Sequence, residues 1–253
     1  MPSIHAKLQA VKTRIAAAAQ DAGREAGSVL LLAASKSQAA PVIAAAYAAG
    51  QRDFGESYVQ EALSKQEALR QSNQALNGLQ WHFIGPLQAN KTRALAEHFD
   101  WVHSVERPRI ARRLSEQRPK TLPPLQVCVE VNISGEASKS GCLPEKAGML
   151  CAMVANLPRL QLRGLMAIPA LATRGAPTQQ RESFARLAAL WRQIRGDLLN
   201  AQFARSAEYA ASFDTLSMGM SADLEAAIAE GATIVRVGTA IFGERTAPSQ
   251  KAV

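Results

Sequence analysis

Short apolar runs alternate with longer helical stretches from one end of the chain to the other, and this alternation restricts the fold most. The runs rich in β-branched and apolar residues are Val29–Ser35, Arg52–Gly55, Gln80–Ile84, Trp101–Val105, Gln126–Ile133, Gln161–Ile168, Asp214–Met218 and Thr233–Gly238. Strands separated by helices are typical of parallel βαβ units, and eight such units close into a barrel.

The helices predicted between these strands are Ala40–Ala49, Tyr58–Leu69, Asn90–His98, Arg107–Gln117, Pro144–Asn156, Thr178–Leu199 and Ala222–Glu230. A further amphipathic helix, over about Ile4–Ala26, precedes the first strand. An open doubly wound sheet is the alternative, but it usually has a glycine-rich turn after its first strand. Here that turn reads Ser35-Lys36-Ser37-Gln38, without glycine. We therefore predict an α/β fold, a (β/α)8 TIM barrel with an extra N-terminal helix.

Length and composition agree with one globular domain. The chain has 253 residues, and barrels of about 250 residues commonly form a single domain. We expect residues 1–245 to form the barrel and residues 246–253 to form a polar C-terminal tail. With 47% hydrophobic residues, the chain has enough apolar material for a core, so disorder of most of it is excluded.

Charge and cysteine content exclude several classes of function. The net charge is +8, but the basic residues are scattered and lack interleaved aromatics, so we expect no nucleic-acid partner. The sequence contains no stretch of about 18 apolar residues, so it predicts no membrane span. Without a secretory signal, and with three cysteines lacking metal-ligand spacing, we expect a cytoplasmic protein with reduced thiols and no metal site.

Lys36 is the first candidate for chemistry. In a β/α barrel the active face is formed by the carboxyl ends of the strands and the loops that follow. Strand alternation places Leu30, Leu32, Ala34 and Lys36 on one face, so an inward row of apolar side chains ends in an amine. A partly desolvated lysine is a nucleophile that forms a Schiff base with an aldehyde. The alternative is a lysine that only extends to solvent at a strand end.

The last two strands predict an anion site. Arg236 lies within the final strand, where an arginine requires an acceptor or an anion. The Gly238 and Thr239 amides and the Thr239 hydroxyl suit phosphate oxygens, and Ser221 is placed to cap the helix after the seventh strand. An ordinary helix cap and an internal salt bridge are the alternatives for Ser221 and Arg236. A phosphorylated aldehyde facing Lys36 corresponds to pyridoxal 5′-phosphate (PLP).

Several segments carry a family resemblance. They are Ala34-Ser35-Lys36, Asp53-Phe54-Gly55-Glu56, Trp81-His82-Phe83-Ile84-Gly85-Pro86-Leu87-Gln88, Gly164-Leu165-Met166, Leu216-Ser217-Met218-Gly219-Met220-Ser221 and Val235-Arg236-Val237-Gly238-Thr239-Ala240-Ile241-Phe242-Gly243. In this order they resemble the YggS/PROSC pyridoxal phosphate homeostasis proteins, from about residue 5 to residue 245.

The resemblance implies a fold-type III PLP-binding barrel like the N-terminal domain of alanine racemase. It implies a cofactor held as an internal aldimine, a Schiff base, on Lys36, with Ser221, Gly238 and Thr239 at the phosphate and Arg236 facing the pyridine nitrogen. An arginine there disfavours protonation of the ring and weakens it as an electron sink. Met218, in the matching segment that runs from the seventh strand into the loop after it, joins the expected cofactor-binding residues.

One position departs from the family pattern. The family usually has Gly-Glu-Asn-Tyr where this chain has Gly55-Glu56-Ser57-Tyr58. We include Ser57 among the cofactor-binding residues, with capping of the following helix as the alternative. His82, which also lies in a matching segment, is interpreted as a packing histidine rather than an acid or base.

Two classes of function follow from the resemblance. One is a carrier that sequesters PLP and delivers it to apo-enzymes for vitamin B6 homeostasis, without substrate turnover of its own. The other is a fold-type III racemase or related enzyme, which needs an acid/base on each face of the cofactor. In alanine racemases the second base is a tyrosine from an additional C-terminal domain. Because the chain ends soon after the barrel, and Tyr47, Tyr58 and Tyr209 fall in helices or connections, we expect a non-catalytic carrier and a monomer.

Overall fold

The computed structural model describes residues 2–72, 76–136, 139–169, 177–200 and 206–243, and it contains a closed parallel barrel. The strands are β1 (Leu30–Ala34), β2 (Asp53–Glu56), β3 (Gln80–Phe83), β4 (Trp101–Val105), β5 (Leu125–Glu130), β6 (Leu160–Met166), β7 (Thr215–Met220) and β8 (Ile234–Val237). Each strand pairs with its neighbour in sequence, and β1 pairs with β8. The eight-stranded barrel predicted from the alternation is therefore confirmed.

Helices surround the barrel. They are α1 (Ile4–Asp21), α2 (Ala40–Ala48), α3 (Val59–Gln71), α4 (Thr92–His98), α5 (Pro108–Gln117), α6 (Pro144–Ala155), α7 (Pro177–Asn200), α8 (Ser206–Ser212), α9 (Leu224–Ala229) and α10 (Thr239–Phe242), with a 3₁₀ turn at Ala89–Lys91. The extra N-terminal helix is confirmed, although α1 ends several residues before the predicted Ala26. Short α8 and α10 were not predicted from the sequence. Across the described ranges, no helix combines the length and apolar character needed to cross a bilayer.

Strand alternation separates an outer layer from the barrel interior. Leu31 and Ala33 of β1 belong to the hydrophobic layer that packs the strands against the helices, whereas Leu32 is buried outside that layer. In β8, Val235 and Val237 belong to the same outer layer, whereas buried Ile234, on the same strand face as Arg236, lies outside it. The inward faces predicted for the first and last strands are therefore confirmed.

Pairing of β1 with β8 closes the barrel. Leu32 is paired with Arg236 and Ala33 with Val237. Because parallel strands end on the same side, the loop after β1, with Lys36, and the turn after β8, with Gly238 and Thr239, meet at one rim. Closure thus brings the first and last predicted site segments together.

Helix α1 packs on the outside of the barrel against α9, α10 and α2. Its buried side chains, Leu8, Val11 and Ile15 among them, contact the outer hydrophobic layer. Arg14 of α1 donates to Glu225 Oε1 at 2.7 Å and to the Ser221 carbonyl at 3.3 Å. This helix is therefore tied to the loop between β7 and α9.

Candidate functional site

A cavity of about 240 Å³ opens at the carboxyl ends of the strands. Its lining is Ala34, Lys36, Gln38, Ser57, Ile84, Ile168, Met220, Ser221, Ala222, Arg236, Gly238, Thr239, Phe242 and Gly243. Most of the predicted cofactor-binding residues thus line one cavity, where a β/α barrel carries its active site.

Lys36 is half-buried in the loop that follows β1. Ala34, the residue below it on the inward face, also lines the cavity, and its small side chain leaves space beneath the amine. The next residue, Ser37, has a left-handed backbone with φ of 66°, which bends the loop sharply after Lys36. The structure therefore brings this lysine into the cavity.

Buried charges hold the backbone on either side of Lys36. The Lys65 ammonium donates to both oxygens of Glu56 and to the Ser35 carbonyl, each at 2.9 Å. Ser35 also donates its hydroxyl to Glu56 at 2.6 Å, and the Ser37 amide donates to Glu61 at 2.6 Å. Burial raises the pKa of Glu56, and the nearby Lys65 ammonium opposes this rise.

Arg236 lies at the base of the cavity with only 4% of its surface exposed. Its guanidinium donates to the Ser217 carbonyl at 2.7 Å, the Ser217 hydroxyl at 2.8 Å and the Ala167 carbonyl at 2.9 Å. Burial lowers its pKa to about 10, and Glu130 and Asp223 raise it. Arg236 therefore remains a cation at neutral pH, and its described hydrogen bonds go to carbonyl and hydroxyl oxygens rather than to the carboxylate of an internal salt bridge.

Gly238 and Thr239 lie where β8 turns into α10. A Cβ added to Gly238 would lie 3.0 Å from the Ala34 carbonyl, so the glycine permits close packing against the end of β1. Thr239 begins α10 with Gly238 at the N-cap, and the first amides of a helix have no acceptor within it. The turn thus supplies backbone donors and a hydroxyl at the cavity wall.

Ser221 lines the cavity, but its predicted capping role is wrong. Helix α9 begins at Leu224 with Asp223 at the N-cap. The Asp223 amide donates to the Met220 carbonyl at 3.2 Å, and the Met220 amide donates to the Asp223 carboxylate. This turn delays the start of the helix by two residues relative to the prediction, and it leaves Ser221 in the loop.

The model of the family described as "Alanine racemase, N-terminal domain" matches residues 6–246. The chain belongs to this family. Among curated relatives, the pyridoxal phosphate homeostasis protein of Pseudomonas aeruginosa is 54% identical over 245 residues, which cover 97% of each chain. The resemblance found in the sequence motifs is therefore confirmed.

Two solved structures have a similar architecture over nearly the whole chain. PipY of Synechococcus elongatus without PLP matches with a TM-score of 0.78 and 34% identity, covering 95% of this chain and all of PipY. PipY with PLP bound matches with a TM-score of 0.76 and 33% identity, with the same coverage. Both comparisons confirm the barrel over nearly the whole chain.

The groups around the cavity suit the cofactor that PipY binds. Lys36 offers an amine, Arg236 a guanidinium, and Ser57, Ser221 and Thr239 offer hydroxyls. An aldehyde requires the amine, and a phosphate requires hydroxyl and backbone donors of this kind. In the part of the chain that the structure describes, no cluster of three or more histidine, cysteine or acidic residues is arranged to hold a metal ion.

Ser57, where the family pattern usually has asparagine, lines the cavity. Helix α3 begins at Val59 with Tyr58 at the N-cap and without a side-chain cap, so the alternative role of Ser57 as helix cap is wrong. The loop after β3 packs so closely against Ser57 that a Cβ added at Gly85 would lie 2.3 Å from the Ser57 carbonyl oxygen. Gly85 therefore fixes how close the loop after β3 approaches Ser57.

Met218 does not join the cavity, in contrast to the prediction from the matching segment. Its side chain is fully buried in the hydrophobic layer between the barrel and the helices. The inward residue of β7 is Ser217, whose hydroxyl contacts Arg236, and Met220 lines the cavity instead. Alternation along β7 already separates Ser217 from Leu216 and Met218, so the sequence contained this distinction.

Proposed function

We propose that this protein binds PLP through a covalent bond to Lys36 and that it sequesters and delivers the cofactor. The observation that carries the proposal is one cavity shared by the Lys36 amine, the buried Arg236 cation and the turn at Gly238 and Thr239. The names of the relatives and the PLP-bound state of PipY support the same conclusion.

Each part of the cavity has a distinct task in this proposal. Ser221, Gly238 and Thr239 hold the phosphate, and Ser57 and Met220 line the cavity beside the cofactor. Arg236 faces the pyridine nitrogen and keeps it unprotonated, because a cation opposes a second positive charge nearby. Bound PLP supplies an electron sink, and an arginine in this place weakens it.

A carrier fits the cavity better than a racemase. Racemisation requires an acid/base on each face of the cofactor. Among the described residues that line the cavity, Lys36 and Arg236 are the ionisable side chains, and Arg236 remains charged at neutral pH, so the lining offers no pair of acid/base groups. We therefore propose a cytoplasmic, monomeric, non-catalytic carrier, built from a barrel over residues 1–245, that passes PLP to apo-enzymes.

The central test locates the cofactor. PLP added to the purified protein should produce a visible absorption band, and borohydride reduction followed by mass spectrometry should find the modification on Lys36. Lys36→Ala should lose the band, whereas Lys120→Ala, which alters an exposed lysine elsewhere, should keep it. The absence of a band, or modification of another lysine, contradicts the proposal.

A second test separates carrier from enzyme. The loaded protein should activate an apo PLP enzyme in the presence of an agent that destroys free PLP. It should not turn over alanine or other amino acids faster than the same concentration of free cofactor. Turnover clearly above that level would assign the protein to the enzymes.

A further inference from the structure

A row of hydrogen-bonded side chains crosses the barrel interior from Arg236 to the opposite end. Arg236 donates to Ser217 Oγ at 2.8 Å, and Ser217 Oγ lies 2.9 Å from His103 Nδ1. His103 Nε2 lies 3.0 Å from His82 Nδ1, and His82 Nε2 lies 3.2 Å from Asp53 Oδ1. Five side chains from five strands thus link the floor of the cavity to a carboxylate at the start of β2.

When both histidines are neutral, the chemistry of the two ends fixes the direction of this row. Arginine can only donate, so Ser217 Oγ accepts from Arg236 and has its own hydrogen left to donate to His103 Nδ1. His103 then carries its hydrogen on Nε2 and donates to His82 Nδ1. His82 in turn donates from Nε2 to Asp53, whose ionised carboxylate can only accept. Every link donates away from Arg236.

The reverse arrangement leaves groups unsatisfied. If His103 carried its hydrogen on Nδ1, Ser217 Oγ would accept hydrogen bonds from both Arg236 and His103. The Ser217 hydroxyl hydrogen would then lose His103 Nδ1 as its acceptor. A neutral His82 would then present a bare Nε2 to the Asp53 carboxylate. Unmatched polar groups are costly in a buried site, and Ser217, His82 and His103 are each fully buried.

The surroundings keep the central histidine neutral. Burial, His82 and Arg236 hold the pKa of His103 well below its ordinary value. The indole of Trp101 stacks on the His82 ring with centroids 5.2 Å apart and planes 9° apart, which restrains its rotation. Glu130 and Asp223 act electrostatically on Arg236, but the described hydrogen bonds of its guanidinium go to Ser217 and Ala167.

We propose that Ser217, His103 and His82 are positioning residues that orient Arg236 toward the cofactor through one unidirectional hydrogen-bond row ending at Asp53. The position of the Arg236 guanidinium thus depends on side chains inside the barrel, as far as Asp53 at the end opposite the cavity. The effect of this row on the pyridine nitrogen rests on the proposed function, whereas the donor-to-acceptor direction of its hydrogen bonds does not.

The first test reads the direction without cofactor. Of the four histidines in the chain, His82 and His103 are buried, and exposed His5 and His98 serve as internal references. Nitrogen NMR of the labelled, PLP-free protein should show His103 as the neutral tautomer with its hydrogen on Nε2, and His82 with a hydrogen on Nε2. A hydrogen on Nδ1 of His103 overturns the proposal, whatever the protein binds.

The second test follows the row to the cavity. Ser217→Ala removes the link to His103 Nδ1, so the His103 tautomer should become mixed and PLP should dissociate about tenfold faster. The ring-nitrogen signal of labelled PLP bound at Lys36 should shift as well. Ser217→Thr, which keeps a hydroxyl, should restore all three values, and Ser115→Ala, at another buried serine, should leave them unchanged.

The outcomes separate this proposal from the proposed function. If PLP binds Lys36 in Ser217→Ala with an unchanged ring-nitrogen signal and rate, the positioning role is wrong and the carrier function stands. If PLP does not bind Lys36 at all, the carrier function fails, while the tautomers in the PLP-free protein still decide the direction of the row. Should Ser217→Ala fail to fold, His103→Gln, which keeps a donor near Nε2 but loses the Ser217 contact, replaces it, with faster PLP dissociation and a shifted ring-nitrogen signal as its two expected results.

Discussion

At the scale of single residues, two buried charges of opposite sign determine how the Lys36 loop is held. Lys65 bonds both oxygens of Glu56 and the carbonyl of Ser35, with side-chain exposures of 7% and 0% for the ion pair. Removal of one partner from such a pair leaves the other buried without compensation. The ion pair therefore couples the stability of the barrel to the geometry of the amine.

We expect Lys65→Met to lower the free energy of unfolding by about 3–5 kcal/mol and to reduce covalent attachment of PLP at Lys36. Urea unfolding of the PLP-free protein gives the first value, and the visible absorption band gives the second. Arg93→Met, which removes an exposed pair with Glu97, is the control and should cost at most about 1 kcal/mol. Equal losses in the two variants would show that burial of the Lys65 pair has no special effect.

Gly85 permits a second prediction at this scale. A Cβ there would overlap the backbone of Ser57, and a backbone neighbour cannot move aside cheaply. Gly85→Ala should therefore weaken PLP binding about tenfold or more and lower stability by about 1–3 kcal/mol. Gly196→Ala is the matched control, because its added Cβ meets nothing within 4 Å in α7, and alanine favours a helix. Titration with PLP and thermal unfolding measure the two effects, and unimpaired binding in Gly85→Ala would contradict the prediction.

The residue scale also shows where sequence prediction works. Lys36 and Arg236 were placed correctly because period-two alternation fixes which face of a strand points inward. Met218 was misplaced because its segment was matched as a unit without applying the same alternation. The contact from Ser217 through His103 to His82 depends on how the closed barrel brings different strands together, and spacing along the chain does not contain that distance.

At the scale of elements, helix α1 reaches the cavity through Arg14. Its guanidinium contacts both Glu225 of α9 and the Ser221 carbonyl, and Ser221 lines the cavity. The pair is half-exposed, with side-chain exposures of 42% and 52%, so its contribution to stability is small. Because Arg14 also donates to the Ser221 carbonyl, we expect it to restrain the loop that lines the cavity.

We expect Arg14→Met to change the free energy of unfolding by less than about 1 kcal/mol and to accelerate PLP loss up to about fivefold. Thermal unfolding and the decay of the visible band after dilution measure these effects. Arg70→Met, which removes an exposed pair with Glu67 on α3, should alter neither value appreciably. An unchanged rate of loss in Arg14→Met would mean that α1 does not restrain this loop.

Elements differ in how well the sequence predicts them. All eight strands were located, because their apolar runs are separated by long helical stretches. Helices α8 and α10 were missed because segments of seven and four residues are too short to establish a helical period. The start of α9 was placed too early because Ser221 is a good capping residue, yet the Met220–Asp223 turn intervenes. The predicted polar tail at residues 246–253 lies outside the described residues and stays a prediction.

At the scale of the whole molecule, Glu130 gives stability a pH dependence. Burial, with a contribution from Glu106, raises its pKa from an ordinary value of 4.5 to about 7. Between these two values the folded protein retains a proton that the unfolded chain has released. The contribution of Glu130 to stability therefore falls as the pH rises through this window.

Glu130→Gln should flatten this pH dependence and stabilise the protein above about pH 7 by up to about 3 kcal/mol. Arg236 already lowers the pKa of Glu130, so the value of about 7 is the net effect of burial and of this attraction. Urea unfolding across the window measures the change. Glu116→Gln, at an exposed position of α5, is the control, and a profile for Glu130→Gln that parallels the wild type would contradict the assignment.

The pairing of β1 with β8 also has a consequence for the order in which the protein matures. Lys36 follows the first strand to be synthesised, and Arg236 lies in the last. The ribosome therefore synthesises Lys36 long before Arg236. The cavity cannot form while the chain is still growing, and a nascent chain has no complete place for PLP. Under the proposed function, PLP can therefore load only onto chains that have been synthesised through β8, and any chain that terminates before β8 cannot hold it.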